Sequence, residues 1–160
     1  MNQKVLVKST TQKSKGFLVA KIFTNHDDKT VLLRNRFISR ITGKNICKSI
    51  IVSAKKSNYE SLLFTAICRT QENKTIKVEI MYDNTQDKNK ILSIYYTSKF
   101  IENCYMNNLV LLQNADTFQI RLTDFIIFDD DKLIHDFYYS DKNHNRNQII
   151  KLSYVELPKL

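Results

Sequence analysis

Two neighbouring segments of this 160-residue chain repeat their apolar side chains at every second position. A period of two is typical of a β-strand that buries one face and leaves the other in water. The three polar residues between the segments, Gln71–Asn73, predict a tight turn. The sequence therefore predicts an antiparallel pair, Ser61–Thr70 with Lys74–Asp83. Its core-facing residues are Leu62, Phe64, Ala66 and Cys68 in the first strand, and Ile76, Val78, Ile80 and Tyr82 in the second.

The segments on either side extend this pair into a longer series of elements. Ile46–Ala54 has the composition of another strand. Ile91–Tyr105 places its apolar residues near one helical face. Leu109–Gln113 and Thr117–Thr123 flank a turn sequence and predict a hairpin. Between Ile46 and Asp129 the chain is thus expected to run strand, strand, strand, helix, strand, strand.

This order is the order of an OB-fold, a small barrel that often binds oligonucleotides. We therefore expect a mainly β protein with an OB-fold five-stranded barrel (β-β-β-α-β-β) and N- and C-terminal extensions. The length favours a single domain over residues 1–160. Its core would cover about residues 46–129, with a basic N-terminal extension at 1–45 and a C-terminal extension at 130–160.

The parts outside the strand series carry weaker patterns. In the N-terminal extension, Lys4–Lys8 is a possible edge strand, Ser9–Lys15 is a predicted loop, and Gly16–Thr24 is predicted as a strand. Thr30–Ile41 fits both a helix and a strand, and the sequence does not decide between them. Elsewhere in the chain, Lys55–Asn58 is predicted to form a turn, and Leu133–Tyr139 and Gln148–Leu157 are apolar stretches.

The positive charge is concentrated near the N-terminus. The formal net charge is +9, with 25 Lys and Arg against 16 Asp and Glu. Residues 1–56 carry 13 basic and 2 acidic residues, whereas residues 57–160 carry 12 basic and 14 acidic residues. Such asymmetry suits attraction to phosphate, to an acidic partner or to an anionic surface, but a solvated surface explains it equally well.

A cluster of basic and aromatic residues falls on the first three predicted strands and their first loop. Single-stranded nucleic acid is held by positive charge along its backbone and by aromatic faces on which bases stack. An OB-fold commonly offers this side to its ligands. For each residue alone, exposure to water is the simpler explanation; the cluster predicts a nucleic-acid site. The residues are Lys48, Lys55, Lys56, Tyr59, Arg69 and Lys77.

Aromatic and aliphatic residues beyond the needs of a small core predict a surface for a protein partner, where Tyr and Phe are enriched. Covering of the barrel is the alternative explanation for this surplus. The candidate interface residues lie in the predicted helix and in the C-terminal extension. They are Ile94, Tyr95, Phe100, Tyr138, Tyr139 and Tyr154.

The sequence contains little that is typical of a catalytic or metal-binding site, so we expect no enzyme activity, no cofactor and no metal. The chain has 2 glycines, too few for a glycine-rich phosphate loop. Its three cysteines form no close pair and predict buried reduced thiols, and its three histidines predict surface or structural roles. Asp129–Asp131 could hold a hard cation, but a solvated strand end is the simpler reading. We also expect no membrane association and no small-molecule substrate.

Ser49–Asp129 resembles the smallest OB-fold subunit of the telomere-capping CST complex, a relative of the small subunit of replication protein A. The resemblance rests on a hydrophobic arrangement over about half of the chain. Its strands are Ser49-Ile50-Ile51-Val52-Ser53, Leu62-Leu63-Phe64-Thr65-Ala66, Ile76-Lys77-Val78-Glu79-Ile80, Leu109-Val110-Leu111-Leu112 and Phe118-Gln119-Ile120-Arg121-Leu122, with the loop Lys55-Lys56-Ser57-Asn58-Tyr59 and the helix near Ile91–Tyr105.

The resemblance implies a nuclear, non-enzymatic subunit at the telomere. It would form a heterodimer with a larger OB-fold subunit, assist single-stranded DNA binding weakly, and in a ciliate associate with telomerase. A different class of function is a basic protein–protein interaction or inhibitor module, of phage or immunity type, that docks on an acidic target. An enzyme, such as a nuclease on a similar barrel, ranks last because it needs clustered carboxylates beside a basic residue.

Overall fold

The computed structural model describes residues 6–57, 61–84, 116–139 and 150–160. In this part the protein is mainly β, as the sequence predicts, with two helices ahead of a six-stranded sheet. The elements are α1 Leu6–Thr24, α2 Asp28–Thr42, β1 Ile46–Ser57, β2 Ser61–Thr70, β3 Thr75–Asp83, β4 Thr117–Thr123, β5 Ile134–Tyr139 and β6 Ile150–Glu156, followed by a short 3-10 helix at Leu157–Lys159.

The sheet combines an antiparallel half with a parallel half. Its strand order is β1-β2-β3-β4-β6-β5. β1, β2 and β3 form an antiparallel meander. β4 then runs parallel to β3, β6 runs parallel to β4, and β5 closes the series antiparallel to β6. Because β3, β4 and β6 run in one direction, their carboxyl ends lie at one edge of the sheet.

The predicted hairpin is confirmed. β2 covers the predicted Ser61–Thr70, β3 begins one residue later than predicted, and Asn73 adopts a left-handed conformation (φ 63°) in the turn. β4 matches Thr117–Thr123. The prediction for Lys55–Asn58 was wrong in part, because β1 continues through Ser57 by pairing with β2.

The described strands form an open sheet, with β1 and β5 at its edges. β4 is paired along both sides, with β3 on one and β6 on the other. The predicted hairpin partner of β4, Leu109–Gln113, and the predicted helix Ile91–Tyr105 lie outside the described residues.

The described part of the N-terminal extension contains two helices, and the predictions of a strand at Gly16–Thr24 and of a loop at Ser9–Lys15 were wrong. Of the predicted edge strand Lys4–Lys8, the described residues, from Leu6 on, lie in α1. α1 starts at Leu6 and continues to Thr24. The local composition favours strand, because Phe17, Val19 and Ile22 are aromatic or β-branched. Tertiary packing decides instead: Val19 and Phe23, one helical turn apart, are both buried in the core.

The undecided segment Thr30–Ile41 lies in helix α2, and its ends carry ordinary caps. Asp27 accepts a hydrogen bond from the backbone N–H of Thr30, which satisfies one free donor of the first turn. Gly43 ends the helix in the left-handed conformation (φ 70°) and donates its N–H to the Ser39 carbonyl.

The core lies between the two helices and one face of the sheet. The apolar face predicted for β2 and β3 is buried here without exception. Phe23 of α1 stacks on Phe64 of β2, with ring centroids 5.2 Å apart, and meets Phe37 of α2 edge-on. The sheet contributes Leu62, Phe64, Ala66, Cys68, Ile76, Val78, Ile80, Tyr82, Phe118, Ile120 and Leu122 to this cluster.

A buried arginine ties the helices to the edge strand. Arg34, 1% exposed, donates from Nε to the hydroxyl of Ser49 on β1. Its Nη1 lies 3.3 to 3.5 Å from the carbonyl oxygens of Ile22, Phe23 and Asn25 at the end of α1. These carbonyls carry the negative end of the helix dipole, so they stabilise the guanidinium where the described residues supply no carboxylate.

Candidate nucleic-acid interface

The meander β1–β2–β3 has one face that the helices do not cover. Residues paired across an antiparallel sheet point to the same face, and successive residues point to opposite faces. Because Phe64, Ala66 and Cys68 face the helices, the odd-numbered residues of β2 and their partners form the other face. We call this surface the open meander face. It contains Lys48, Ile50, Ser53, Lys55, Leu63, Thr65, Ile67, Arg69, Thr75, Lys77, Glu79, Met81 and Asp83.

Four of the six residues predicted to bind nucleic acid come together on this face. Lys48 lies directly opposite Arg69 in the β1–β2 register. Lys55 lies opposite Leu63, and Lys77 lies opposite Ile67 on the other side of β2. Lys48, Lys55 and Arg69 are exposed, whereas Lys77 is half-buried. The strand order thus brings together charges that are separated by up to 29 positions in the sequence.

Two of these four cations are held by neighbours. Lys77 Nζ forms an ion pair with Glu79 Oε1 at 2.9 Å. Arg69 donates from Nε to the side-chain oxygen of Asn73 in the β2–β3 turn, which leaves the rest of its guanidinium for other partners. Lys48 and Lys55 form no ion pair with the residues that the structure describes. The charge available to a ligand therefore comes chiefly from Lys48, Lys55 and Arg69.

The centre of the open meander face is aliphatic. Ile50 is 51% exposed, and Leu63, Ile67 and Met81 are half-buried beside it. No aromatic residue occupies this face within β1, β2 and β3 as described. Bases stack best on aromatic rings, so these strands offer charge and aliphatic contact rather than a stacking surface.

The remaining two predicted residues are Lys56 and Tyr59. Lys56 is paired in register with Leu62 of β2. Tyr59 lies outside the described residues. The predicted aromatic contribution to the site consequently stays a prediction.

The residues predicted for a partner interface do not form one surface in the described part. Ile94, Tyr95 and Phe100 lie outside it. Tyr138 is 66% exposed at the β5 edge and lies beside Lys151. Tyr154 of the neighbouring strand is buried.

Aromatic packing within the chain accounts for the burial of Tyr154. Its ring meets the rings of Phe128 and Phe137 edge-on at 5.6 and 6.0 Å. For Tyr139 the structure gives the backbone pairing with Ile150.

A second polar cluster, which sequence reasoning missed, lies at the end of β6. Lys159 places its ammonium 2.7 Å from Glu156 Oε2 and 3.3 Å from Asp130 Oδ1. His135 stands between the same two acids: its Nε2 is 3.0 Å from Asp130, and its Nδ1 is 3.5 Å from Glu156. We call these four residues the C-terminal cluster.

The electrostatics of this cluster follow from its contacts. The hydrogen bond from His135 is the largest effect on Asp130, and with those from Lys132 and Lys159 it lowers the pKa of Asp130 to about 2. Glu156 is fully buried. Burial acts to raise its pKa, but hydrogen bonds from Lys159 and from two backbone N–H groups outweigh burial, and the pKa is lowered. The same acids raise the pKa of Lys159 against the effect of its own burial.

The contacts within the C-terminal cluster indicate a structural role, because its charged groups neutralise one another. Asp130, His135 and Glu156 offer ligand atoms within 4.8 Å of one another, a spacing that could hold a metal. The Lys159 ammonium already supplies the positive charge there, and it also donates to the carbonyls of Phe128 and Lys132. A cation would have to displace it. Of the run Asp129–Asp131, which was predicted as a solvated strand end, Asp130 instead pairs with Lys159 and His135, and the sequence spacing of these residues gave no signal of it.

A small cavity lies near the carboxyl ends of the parallel strands. Asp83, Arg121, Thr123 and Tyr154 are among its lining residues. Its volume of about 10 Å³ suits one water molecule and is far below that of a ligand pocket.

The cysteines fit the prediction in part: Cys68 is buried, as expected, whereas Cys47 is exposed, contrary to expectation. Both are free; Cys104 lies outside the described residues.

Comparison with known proteins assigns no class to this fold and site. The chain matches no protein-family model, and no curated protein matches it significantly. Within the described residues, no helix is long and apolar enough to cross a membrane.

Proposed function

We propose that this protein is a non-enzymatic accessory subunit that holds the phosphate backbone of a nucleic acid on the open meander face. The observation that carries the proposal is that Lys48, Lys55 and Arg69 are all exposed on one face of the meander, opposite the described helices. Phosphate contacts dominate the affinity of most nucleic-acid binders, and they require cations that are accessible to the ligand.

The spacing of these cations suits a short stretch of backbone. Lys48 and Lys55 stand seven positions apart on one strand, which corresponds to roughly 20 Å at the rise of a β-strand. Arg69 lies across from Lys48 and widens the charged end of the face. Because the described strands supply no aromatic ring here, the binding should depend on charge far more than on base identity.

The same proposal includes the ligand, the partner and the cellular location of the protein. The antiparallel meander β1–β2–β3 agrees with the first three strands of the expected OB-fold order, and it supports an OB-type ligand face. On this basis we propose single-stranded telomeric DNA as the ligand, a larger OB-fold subunit as the partner, and the nucleus as the location. The supporting observations are the sheet connectivity and the resemblance in hydrophobic pattern.

The test is a titration of a labelled G-rich single strand, read by fluorescence anisotropy. With three phosphate contacts, log K should fall against log salt with a slope of about −2. The double variant Lys48→Glu/Lys55→Glu should weaken binding at least tenfold. The matched control is Arg36→Glu/Arg40→Glu, which changes the net charge by the same amount on the helix side. Equal losses in both variants, or no binding at low salt, would refute the proposed face.

A second candidate is a protein-docking module for an acidic target, favoured by the aliphatic centre around Ile50. A protein interface uses a desolvated apolar centre with a charged rim. Replacing Ile50 by Ser should then weaken partner binding strongly, while leaving charge-driven nucleic-acid binding almost unchanged. Affinity capture with the wild-type chain and the Ile50→Ser variant separates the two candidates.

A further inference from the structure

The helices expose large apolar residues on the side that faces away from the sheet. Phe17 and Leu18 of α1 are 61% and 55% exposed, and Leu32 and Leu33 of α2 are 51% and 52% exposed. Their helical neighbours Val19, Phe23, Ile38 and Ile41 point inward and are buried in the core. The exposed residues are thus surplus to the packing that holds the helices on the sheet.

Basic residues accompany these apolar ones. On α2, Lys29, Arg36 and Arg40 are exposed at spacings of seven and four, which puts them on one face of the helix over roughly 16 Å. On α1, Lys21 is exposed one turn beyond Phe17. None of these four cations forms an ion pair with a residue that the structure describes. We call the exposed Phe17, Leu18, Lys21, Lys29, Leu32, Leu33, Arg36 and Arg40 the outer helix surface.

Nearby acidic residues do not cancel this charge. Helices α1 and α2 and their caps contain two, Asp27 and Asp28, both at the start of α2. The Asp27 carboxylate accepts hydrogen bonds from the backbone and hydroxyl of Thr30. Both acids also lie at the positive end of the helix dipole, which offsets their charge. The middle and end of α2 therefore present cations and leucines alone.

The chemistry of this surface limits what can cover it. A second copy of the same surface would bring four like charges against four, which association disfavours. A nucleic acid would use the cations and could stack a base on Phe17, but it would gain little from the three exposed leucines, Leu18, Leu32 and Leu33. A folded acidic peptide would need a groove in which to bind. The apolar side chains of the outer helix surface are more than half exposed, so they project from the two helices and do not line a groove.

We propose that the outer helix surface docks the protein on an anionic lipid bilayer. Phe17, Leu18, Leu32 and Leu33 would enter the interface between headgroups and acyl chains, while the flanking lysines and arginines would contact anionic headgroups. This docking would leave the open meander face, on the other side of the sheet, free for its own ligand. It departs from the expectation that the protein has no membrane partner, and it does not rest on the proposed nucleic-acid function.

The test is co-sedimentation of the full chain with sucrose-loaded vesicles, either of phosphatidylcholine alone or with about 30 mol% phosphatidylserine. We expect binding to the anionic vesicles that weakens with added salt, and little binding to the neutral ones. Arg36→Glu/Arg40→Glu should lower the partition coefficient by about 25-fold or more, since each basic residue contributes about fivefold. Phe17→Ser/Leu18→Ser should lower it about tenfold.

The controls separate docking from unfolding and from general charge. Lys48→Glu/Lys55→Glu has the same net charge as the first variant and should keep most of the binding. Ile126→Ser removes an equally exposed apolar residue outside the helices and should have no effect. All variants should keep the wild-type thermal midpoint. Equal binding to both vesicle types, an equal loss in the Lys48/Lys55 variant, or binding to poly-L-glutamate without binding to vesicles would overturn the proposal.

Discussion

Arg34 Nε donates a 3.0 Å hydrogen bond to the hydroxyl oxygen of Ser49, and this buried contact joins α2 to the edge strand β1. The Ser49 hydroxyl in turn donates to Asn35 Oδ1 at 2.5 Å, so one small side chain serves two residues of the helix. A charged group with about 1% exposure is tolerated here because its Nε and Nη1 atoms are hydrogen-bonded and the carboxyl end of α1 faces it.

Replacing Arg34 should therefore destabilise the protein strongly. Arg34→Met keeps much of the volume but leaves buried acceptors without a donor, and we expect a loss of about 3 kcal/mol in the free energy of unfolding. Arg36→Met, two positions away and exposed, should change it by less than about 0.5 kcal/mol. Urea unfolding followed by circular dichroism measures both; similar losses in the two variants would contradict the assigned role.

Substitutions at Gly43 test backbone strain without a change in side-chain packing. Its φ is 70°, and a Cβ added there would meet no atom within 4 Å. Gly43→Ala should consequently cost about 1 kcal/mol through conformation alone. Gly43→Asn should cost less, because Asn tolerates the left-handed region. Thermal melts of the three proteins should rank them as Gly, then Asn, then Ala; an Ala variant as stable as wild type would show that α2 ends differently.

The C-terminal cluster should give the protein an acid-sensitive contribution to stability. The pKa of Asp130 is lowered from its usual value to about 2 in the folded protein, with the His135 hydrogen bond as the first cause. A lowered folded pKa stabilises the fold above the unfolded pKa, and that stability disappears as pH falls from about 4 towards 2. Asp130→Asn should thus be less stable than wild type at pH 5, and the difference should shrink by pH 2 in urea titrations. A difference that is constant across this range would contradict the assignment.

The two described cysteines should react at very different rates. Burial raises the pKa of the Cys68 thiol to about 12, so it stays protonated and inaccessible at neutral pH. Cys47 is exposed. In a Cys104→Ser background, Ellman's reagent should modify one thiol quickly, and this phase should vanish in Cys47→Ser. Cys68 should react after unfolding in denaturant; rapid modification in the native protein would contradict its burial.

The strands of the meander could be predicted because their sequence repeats with the period of the structure. Ile76, Val78 and Ile80 have no other arrangement that buries all three on one face, and the turn residue Asn73 fits its left-handed backbone. α2 could have been assigned from its cap signals, Asp27 with Thr30 at the start and Gly43 at the end. The residues around Thr30–Ile41 thus contain the signals of a helix, but the apolar pattern of this segment fits both a helix and a strand.

Other features depend on contacts that local patterns do not encode. α1 contains apolar residues on its buried and its exposed sides, Val19 and Phe17 among them, so no period stands out. The place of β6 beside β4 follows from pairing between distant segments, and no turn signal marks it. In the candidate site, alternation correctly grouped Arg69 and Lys77 on one face. The ion pairs of Lys159 with Asp130 and Glu156 could be found only in the folded structure.

The position of β4 between two parallel neighbours also sets an order of events during synthesis. Its partner β3 leaves the ribosome earlier, but β6 emerges last of the six strands, so one flank of β4 stays open until translation of the sheet is nearly complete. Pairings between distant segments form slowly, and an unpaired strand edge attracts other chains. A nascent or prematurely released polypeptide that lacks β6 would expose such an edge on β4, so pairing with β6 protects the sheet against aggregation.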